Sequence, residues 1–415
     1  MSESTPFFPN RTICLPFSEE EYLEMIPDAS RFRTFLNEWI ERFPQLFPAE
    51  IQEGYRMKDI RYSSKLSFPL RRIEIRGISY SIRPAFALPY MTGRSHEVEK
   101  ALFLRKFQVP FWALAYVFGK DAMYWYRLET ALGRNSIVGT TLQHPEHLPA
   151  HLLADEKHTW VLGQKTYVAT TVADGCILGA SLAQEASESS LLQAYGVFQQ
   201  EAQLLNPHYS PKTVNTDGWE ATQNAWKKLF PCISLILCFL HVFIKIRDRA
   251  QKKYKDLFSE TATRLWHCYT SLSKASFSQS VRRFHEWAQR QALPPVMMEP
   301  IEKLRKSRDK FAIAYDFPEA HRTSNMLDRL LQRMDRHLFS TQYFHGTVTT
   351  AEQNIRAWAL IHNFAPSNPY TLKLHDGWQS PAERLNQFRY HPNWLQNLLI
   401  SASLGGFRSP PQNPL

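Results

Sequence analysis

Asp155 and Asp217 are the residues on which this sequence can build chemistry. Asp155 lies in the short apolar run LLADEKHTW and Asp217 closes KTVNTD, and each is expected at the end of a β-strand. If the two strands are neighbours, their carboxylates converge. Paired acids of that kind, joined by a third from a later helix, hold two divalent ions roughly 3.5–4 Å apart and stabilise the attacking and leaving oxygens of phosphoryl transfer. Magnesium or manganese suits such oxygen ligands. The same two acids also suit plain strand-end or helix-cap duty, and spacing alone leaves both readings open. Glu156, next to Asp155, points to the opposite face if the strand continues, which keeps it out of the site.

The elements that must position these acids lie between His151 and Ala250. KTYVATTVA and CILGASLA are β-branched or apolar runs separated by an Asp174-Gly175 turn, and SLLQAYGVFQQEAQLL is an amphipathic helix. KTVNTD, the helix GWEATQNAWKKLF, the apolar run ISLILCFL and the basic helix HVFIKIRDRAQKKY follow. The order is β-β-β-α-β-α-β-α, in which strands one and four are adjacent. From 250 to 320 the pattern is helical, with apolar faces opposed by Lys and Arg and a break at Leu293-Pro294-Pro295. MLDRLLQRMDRHLF and AEQNIRAWALIHNF continue the helical pattern, and a Pro-, Gly- and Asn-rich tail begins at residue 366.

Upstream, residues 1–95 mix the amphipathic helix FRTFLNEWIERF with RRIEIRGISYSIRP, which alternates like a strand or hairpin. Residues 96–150 hold three short helical pieces, EVEKALFLRKF, PFWALAYVFG and KDAMYWYRLETALG, a helix-turn-helix pattern or a structural three-helix subdomain. As a DNA reader, its third helix would present Tyr124 and Arg127 to a major groove.

The 415 residues carry 49 Lys and Arg against 39 Asp and Glu, a net charge of +10 that favours a polyanionic partner without choosing among them. No apolar run reaches the ~18 uncharged residues of a membrane span, no signal-peptide pattern opens the chain, and five cysteines lack paired spacing. A soluble protein of a reducing cytoplasm is expected. Cys238 and His241 are spaced like half a zinc site, but no second pair follows, so a structural zinc is not expected.

NTDGWEATQNAWKKLFP, closely followed by CFLHVFIKIRDR and later by HRTSNMLDRL, resembles the ordered motifs of DDE transposases, specifically insertion-sequence and mutator-like enzymes. The resemblance covers roughly residues 150–365. It implies an α/β fold with an RNase H-like core (151–242 and 321–365) interrupted by an all-α insertion (243–320), after a DNA-binding region and before a tail (366–415). It further implies DNA cleavage at element ends and strand transfer into target DNA with two Mg²⁺ or Mn²⁺ ions. DNA would be the partner, and a dimer or higher oligomer the assembly. The alternatives are a nuclease of the same core without strand transfer and a DNA-binding protein that has lost catalysis.

By the same resemblance Asp155 and Asp217 are metal ligands, Cys238, His241 and Asn325 support them, and Asp328 stands where the final acid belongs, although those families more often place Glu there. Glu352 competes, yet Thr349 and Glu352 also read as an N-terminal capping box. Asp335 and Glu220 are remoter candidates. Basic side chains at Lys245, Arg247, Arg249, Lys252 and Lys253, in the run 303–310, and at Arg329 and Arg333 are expected to touch phosphate, or simply to form solvated faces.

Overall fold

The computed structural model of the chain describes residues 10–64, 66–250 and 254–407; Lys252 and Lys253 lie outside them. The chain opens with β1 (Thr12–Leu15), α1 (Glu19–Met25) and α2 (Ala29–Arg42), then β2 (Arg56–Ser63), β3 (Phe68–Ile75) and β4 (Ile78–Pro84). Ser18 and Glu21 form a complete capping box on α1, and Asp28 caps α2 through the Ser30 and Arg31 N–H groups. β3 and β4 form the hairpin expected of RRIEIRGISYSIRP, turning at Arg76-Gly77, both at positive φ. β1 joins β4 in parallel, giving a four-stranded sheet in the order β1-β4-β3-β2.

α3 (Ser95–Arg105), α4 (Phe111–Phe118), α5 (Ala122–Leu132) and the short α6 (Ile137–Thr141) follow. Val98, Leu102, Leu114, Trp125 and Leu128 from these helices share one core with Ile13, Phe32, Ile73 and Ile82 of the preceding region, so the boundary expected at residue 95 falls inside a continuous core. The helices are too short, and α5 too apolar on several sides, to bury themselves alone.

The second sheet carries the acids. β5 (His151–Val161), β6 (Gln164–Ala173) and β7 (Cys176–Ala183) form an antiparallel meander. α7 (Glu188–Leu205) then leads to β8 (Thr213–Thr216), and α8 (Glu220–Leu229) to β9 (Ser234–Leu237). β8 is parallel to both β5 and β9, and the order is β7-β6-β5-β8-β9. After β9 come α9 (Phe239–Ala250), α10 (Lys255–Tyr269), α11 (Lys274–Arg290), α12 (Pro295–Lys306) and α13 (Arg308–Ala312). These five helices bury Val242, Ile246, Leu265, Phe277, Phe284 and Leu304 in a core of their own.

α14 (Asn325–Ser340) and α15 (Val348–Phe364) return to the sheet. Leu191, Tyr195, Phe198 and Trp226 of α7 and α8 cover one face, and Leu327, Leu331, Met334, Ile355 and Trp358 of α14 and α15 cover the other. The chain ends with α16 (Pro369–Leu374), α17 (Pro381–Asn386) and α18 (Trp394–Ser401). These last elements do not form a loose tail: Trp394, Leu395, Leu398 and Leu399 lie in the N-terminal core. There Ser403 Oγ donates to the Leu46 carbonyl at 2.7 Å and accepts from the Cys14 N–H at 3.1 Å. The apolar stretch WLQNLLI is short and sits among prolines, which conceals it in sequence. Among the described residues no helix is long and apolar enough to cross a membrane.

Candidate metal centre

The β5–β8 register, from His151↔Thr213 to Leu153↔Asn215, makes the first and fourth strands of this sheet neighbours. Asp155, however, does not end its strand. β5 runs on to Val161 and stays paired with β6, with Asp155 opposite Thr170. What ends beside it is β8, at Thr216, so Asp155 stands where β5 loses its parallel neighbour and Asp217 is the first residue beyond that neighbour. The charged run DEKH reads as a strand end, whereas the Leu162-Gly163 turn, both residues at positive φ, folds it into a hairpin.

Side-chain alternation then divides the acids between faces. Leu152 and Ala154 pack toward α7 and α8, and Leu153 toward α14 and α15, so Asp155 faces α14. Glu156 faces the other way and accepts from the Tyr195 hydroxyl at 2.7 Å and the Thr222 hydroxyl at 2.6 Å. Burial pushes its carboxyl up to about 7 against those two bonds. It is a satisfied structural acid outside the centre.

On the α14 side, Asp155, His241 and Asp328 each bring a ligand atom within 4.8 Å of the others. His241 is on the first turn of α9 and Asp328 on the first turn of α14. This grouping modifies the expected trio, because His241 enters it and Asp217 does not. Asp217 Oδ1 instead accepts the Trp219 N–H at 2.8 Å, closing the turn into α8 that Gly218, at φ +91°, makes possible. Asp217 still acts on the centre electrostatically. Burial, then the Asp217 and Glu156 charges, push the Asp155 carboxyl up to about 8 despite the Glu156 N–H it accepts at 2.8 Å. Burial lowers the His241 imidazole, with the Asp217 and Asp328 carboxylates opposing.

The donor set fits a divalent cation. His241 Nδ1 is buried with no hydrogen-bond partner among the described residues, and two carboxyl groups stand with the imidazole in one small cluster. A cation bound there would offset the carboxylate charge, and an imidazole beside carboxylates suits manganese better than magnesium.

Ser324 is the residue that sequence reasoning missed. Its hydroxyl donates to Asp328 Oδ2 at 2.8 Å and accepts from the Cys238 thiol at 3.2 Å, while its N–H donates to Cys238 Sγ at 3.2 Å. Cys238 therefore holds Ser324 in place. Asn325, the residue expected to support the acids, is exposed at the start of α14. The available signal was Ser at the N-cap position of a helix whose first turn carries an acid. Ser324→Ala should weaken Mn²⁺ binding roughly tenfold, as losses of groups that orient ligands do, with only about 1 kcal/mol lost from folding. Calorimetric titration with MnCl₂ reads the first and thermal melting the second; unchanged affinity would detach Ser324 from the centre.

The other acids lie elsewhere. Thr347, not Thr349, caps α15 through the Thr350 N–H, so the Thr349–Glu352 box does not form. Glu352 is beside Arg356 and Glu201, with burial raising its carboxyl. Asp335 pairs with Lys157 at 2.7 Å, and Glu220 is exposed at the start of α8.

Among the residues expected on DNA, Arg127, Lys245, Arg247, Arg329 and Arg333 are exposed. Arg247 is paired with Asp248. Tyr124 is half-buried, its hydroxyl donating to the Thr92 carbonyl at 3.0 Å and its ring edge-on to Trp125, so it is a packing residue and not a base reader. No protein-family model matches the chain, and no curated protein matches its sequence.

Proposed function

We propose that the chain is a DDE-type transposase with an RNase H-like core that cuts DNA at the ends of a mobile element and joins the freed 3′-hydroxyl to target DNA. One observation carries this reading: three separated motifs, at Asp155, His241 and Asp328, converge on one face of a sheet, with Asp217 at the adjoining strand end. The order β7-β6-β5-β8-β9 and the all-helical unit between β9 and α14 agree with the resemblance in the sequence. The surplus of ten positive charges suits a DNA partner.

Asp155, Asp328 and His241 would hold one divalent ion, and Asp155 with Asp217 a second. Such ions supply Lewis acidity at the phosphate and acidify the attacking hydroxyl. The protein's own part is positioning. β5 fixes Asp155 rigidly within a paired strand, and Ser324 fixes the carboxylate of Asp328. In the first step a water oxygen bonds to phosphorus and the P–O3′ bond breaks, leaving a 5′-phosphate and a 3′-hydroxyl. In the second that 3′-oxygen bonds to a target phosphorus, its proton is lost, and the displaced target 3′-oxygen takes one up.

A supercoiled plasmid carrying the gene with its flanking DNA, incubated with the protein and MnCl₂, tests the reading. Breaks with 3′-hydroxyl ends and joined products are expected. Cleavage without joining would leave a nuclease, and no metal-dependent cleavage would overturn the proposal.

A further inference from the structure

A cavity of about 100 Å³ opens directly beside the centre, between the β8–α8 turn, α9, α12 and α13. Asp217 and His241 stand at one end. Leu237, Val242, Leu304 and Phe311 make an apolar floor, and Lys245, Lys303 and Lys310 border it. The surrounding cations divide sharply. Arg249 is paired with Glu299, Arg305 with Glu302 and Arg308 with Asp309, at N–O distances of 2.7–3.2 Å. Among the described residues, no carboxylate lies within ion-pair distance of Lys245, Lys303 or Lys310, although Lys245 and Lys303 both act on Glu299 at longer range.

Three like charges around one groove repel one another unless an anion joins them. The arginines have spent their rigid forks on carboxylates, whereas ammonium groups on flexible stems adapt to tetrahedral phosphate from several directions. The lysines come from two separate parts of the chain, one on α9 and two from the α12–α13 corner, and they face one another only because the helical unit folds back against β9.

We propose that this groove is a DNA-backbone site: Lys245, Lys303 and Lys310 grip phosphates of the strand whose neighbouring phosphodiester lies over Asp155 and Asp328. This deepens the function proposed above and rests on it for the identity of the strand. The helical unit is thereby a clamp that sets the depth at which DNA enters the centre, and the paired arginines around it are framework. Of the basic residues in the run 303–310, only two are assigned to phosphate.

Two measurements test the site on the full-length protein with a fluorescein-labelled 30-bp duplex. In competitive acetylation read by mass spectrometry, DNA should slow modification of Lys245, Lys303 and Lys310 at least several-fold. It should spare Lys212, at the far end of β8, and Lys165, on the β5–β6 hairpin. Equal protection of all five, or of none, would overturn the proposal. Anisotropy titrations across a salt series should give Lys245→Ala, Lys303→Ala and Lys310→Ala each a salt slope shallower by about 0.9, with Arg305→Ala shifting it much less. A triple lysine variant with the wild-type slope would also overturn it. Both readouts are independent of catalysis. A protein that binds no Mn²⁺, or whose Asp155→Asn/Asp328→Asn form behaves no differently in metal binding, would sink the metal reading and leave the lysine results interpretable.

Discussion

Asp155→Asn should lower metal-dependent DNA cleavage on the order of 10³-fold and, in the same protein, raise the stability of the metal-free state at pH 8. The two effects have one origin. Burial and the charges of Asp217 and Glu156 bring the Asp155 carboxyl up to about 8, so at neutral pH without metal it holds a proton that the unfolded chain, near 3.8, has released. The folded state therefore binds more protons than the unfolded state between pH 4 and 8. Stability supplied by this group is fully present below pH 4 and is lost as pH rises through about 8. Asparagine cannot ionise, and the variant should escape that loss, gaining about 2 kcal/mol at pH 8 relative to wild type after allowance for solvent access to a partly exposed side chain. Melting curves in EDTA at pH 5 and pH 8 give the comparison. Glu156, raised to about 7, titrates in the same direction and leaves a residual slope in both proteins.

A cation displaces the same proton. Apparent Mn²⁺ affinity of the wild type should thus climb up to tenfold per pH unit below about 8 and level off above it. A pH-independent affinity, or an Asp155→Asn protein less stable than wild type at pH 8, would mean that the carboxylate is not the strained group that the centre requires.

The legible and illegible parts of this protein differ by range of interaction. Period-two alternation along LLADEK is a local property, and it correctly sends Glu156 away from Asp155, to Tyr195 and Thr222. Strand order came through because each strand and each crossover helix is marked by its own apolar pattern. The length of β5 did not, because charged residues can continue a strand when a hairpin partner supplies hydrogen bonds, as β6 does through Val161↔Gln164. Contacts between distant segments left the faintest traces. Ser324 meets Cys238 across 86 residues of sequence, and only the folded β9–α9 junction makes that meeting visible. His241 could be named as a supporting residue but not placed among ligand atoms, since that depends on the exact direction in which α9 leaves β9. In the N-terminal region Tyr124, expected from the sequence to face DNA, is half-buried and tied to Thr92, whereas Arg127 is exposed.

Asp328 and Glu352 offer the sharpest separation of site from scaffold. Both are acids on helices that cover the same face of the sheet, and both are partly buried. Asp328 lies with Asp155 and His241, its Oδ2 held by Ser324 at the start of α14. Glu352 belongs to α15 instead: it neighbours Arg356, which with Glu201 forms a buried ion pair between α15 and α7. Asp328→Ala removes a ligand and leaves Ser324 without its acceptor, so cleavage and strand transfer should fall on the order of 10³-fold and Mn²⁺ binding should weaken with them. Folding should change by no more than about 1 kcal/mol, because the side chain is partly exposed and Leu327, Leu331 and Met334 still anchor the helix. Glu352→Ala should do the reverse. Cleavage and Mn²⁺ affinity should stay within about twofold of wild type, while the melting temperature drops through the lost packing of its partly buried stem, a change of about 1 kcal/mol. Single-turnover cleavage, manganese calorimetry and thermal melting on the two variants decide the matter, and activity lost in Glu352→Ala but kept in Asp328→Ala would move the third acid to α15.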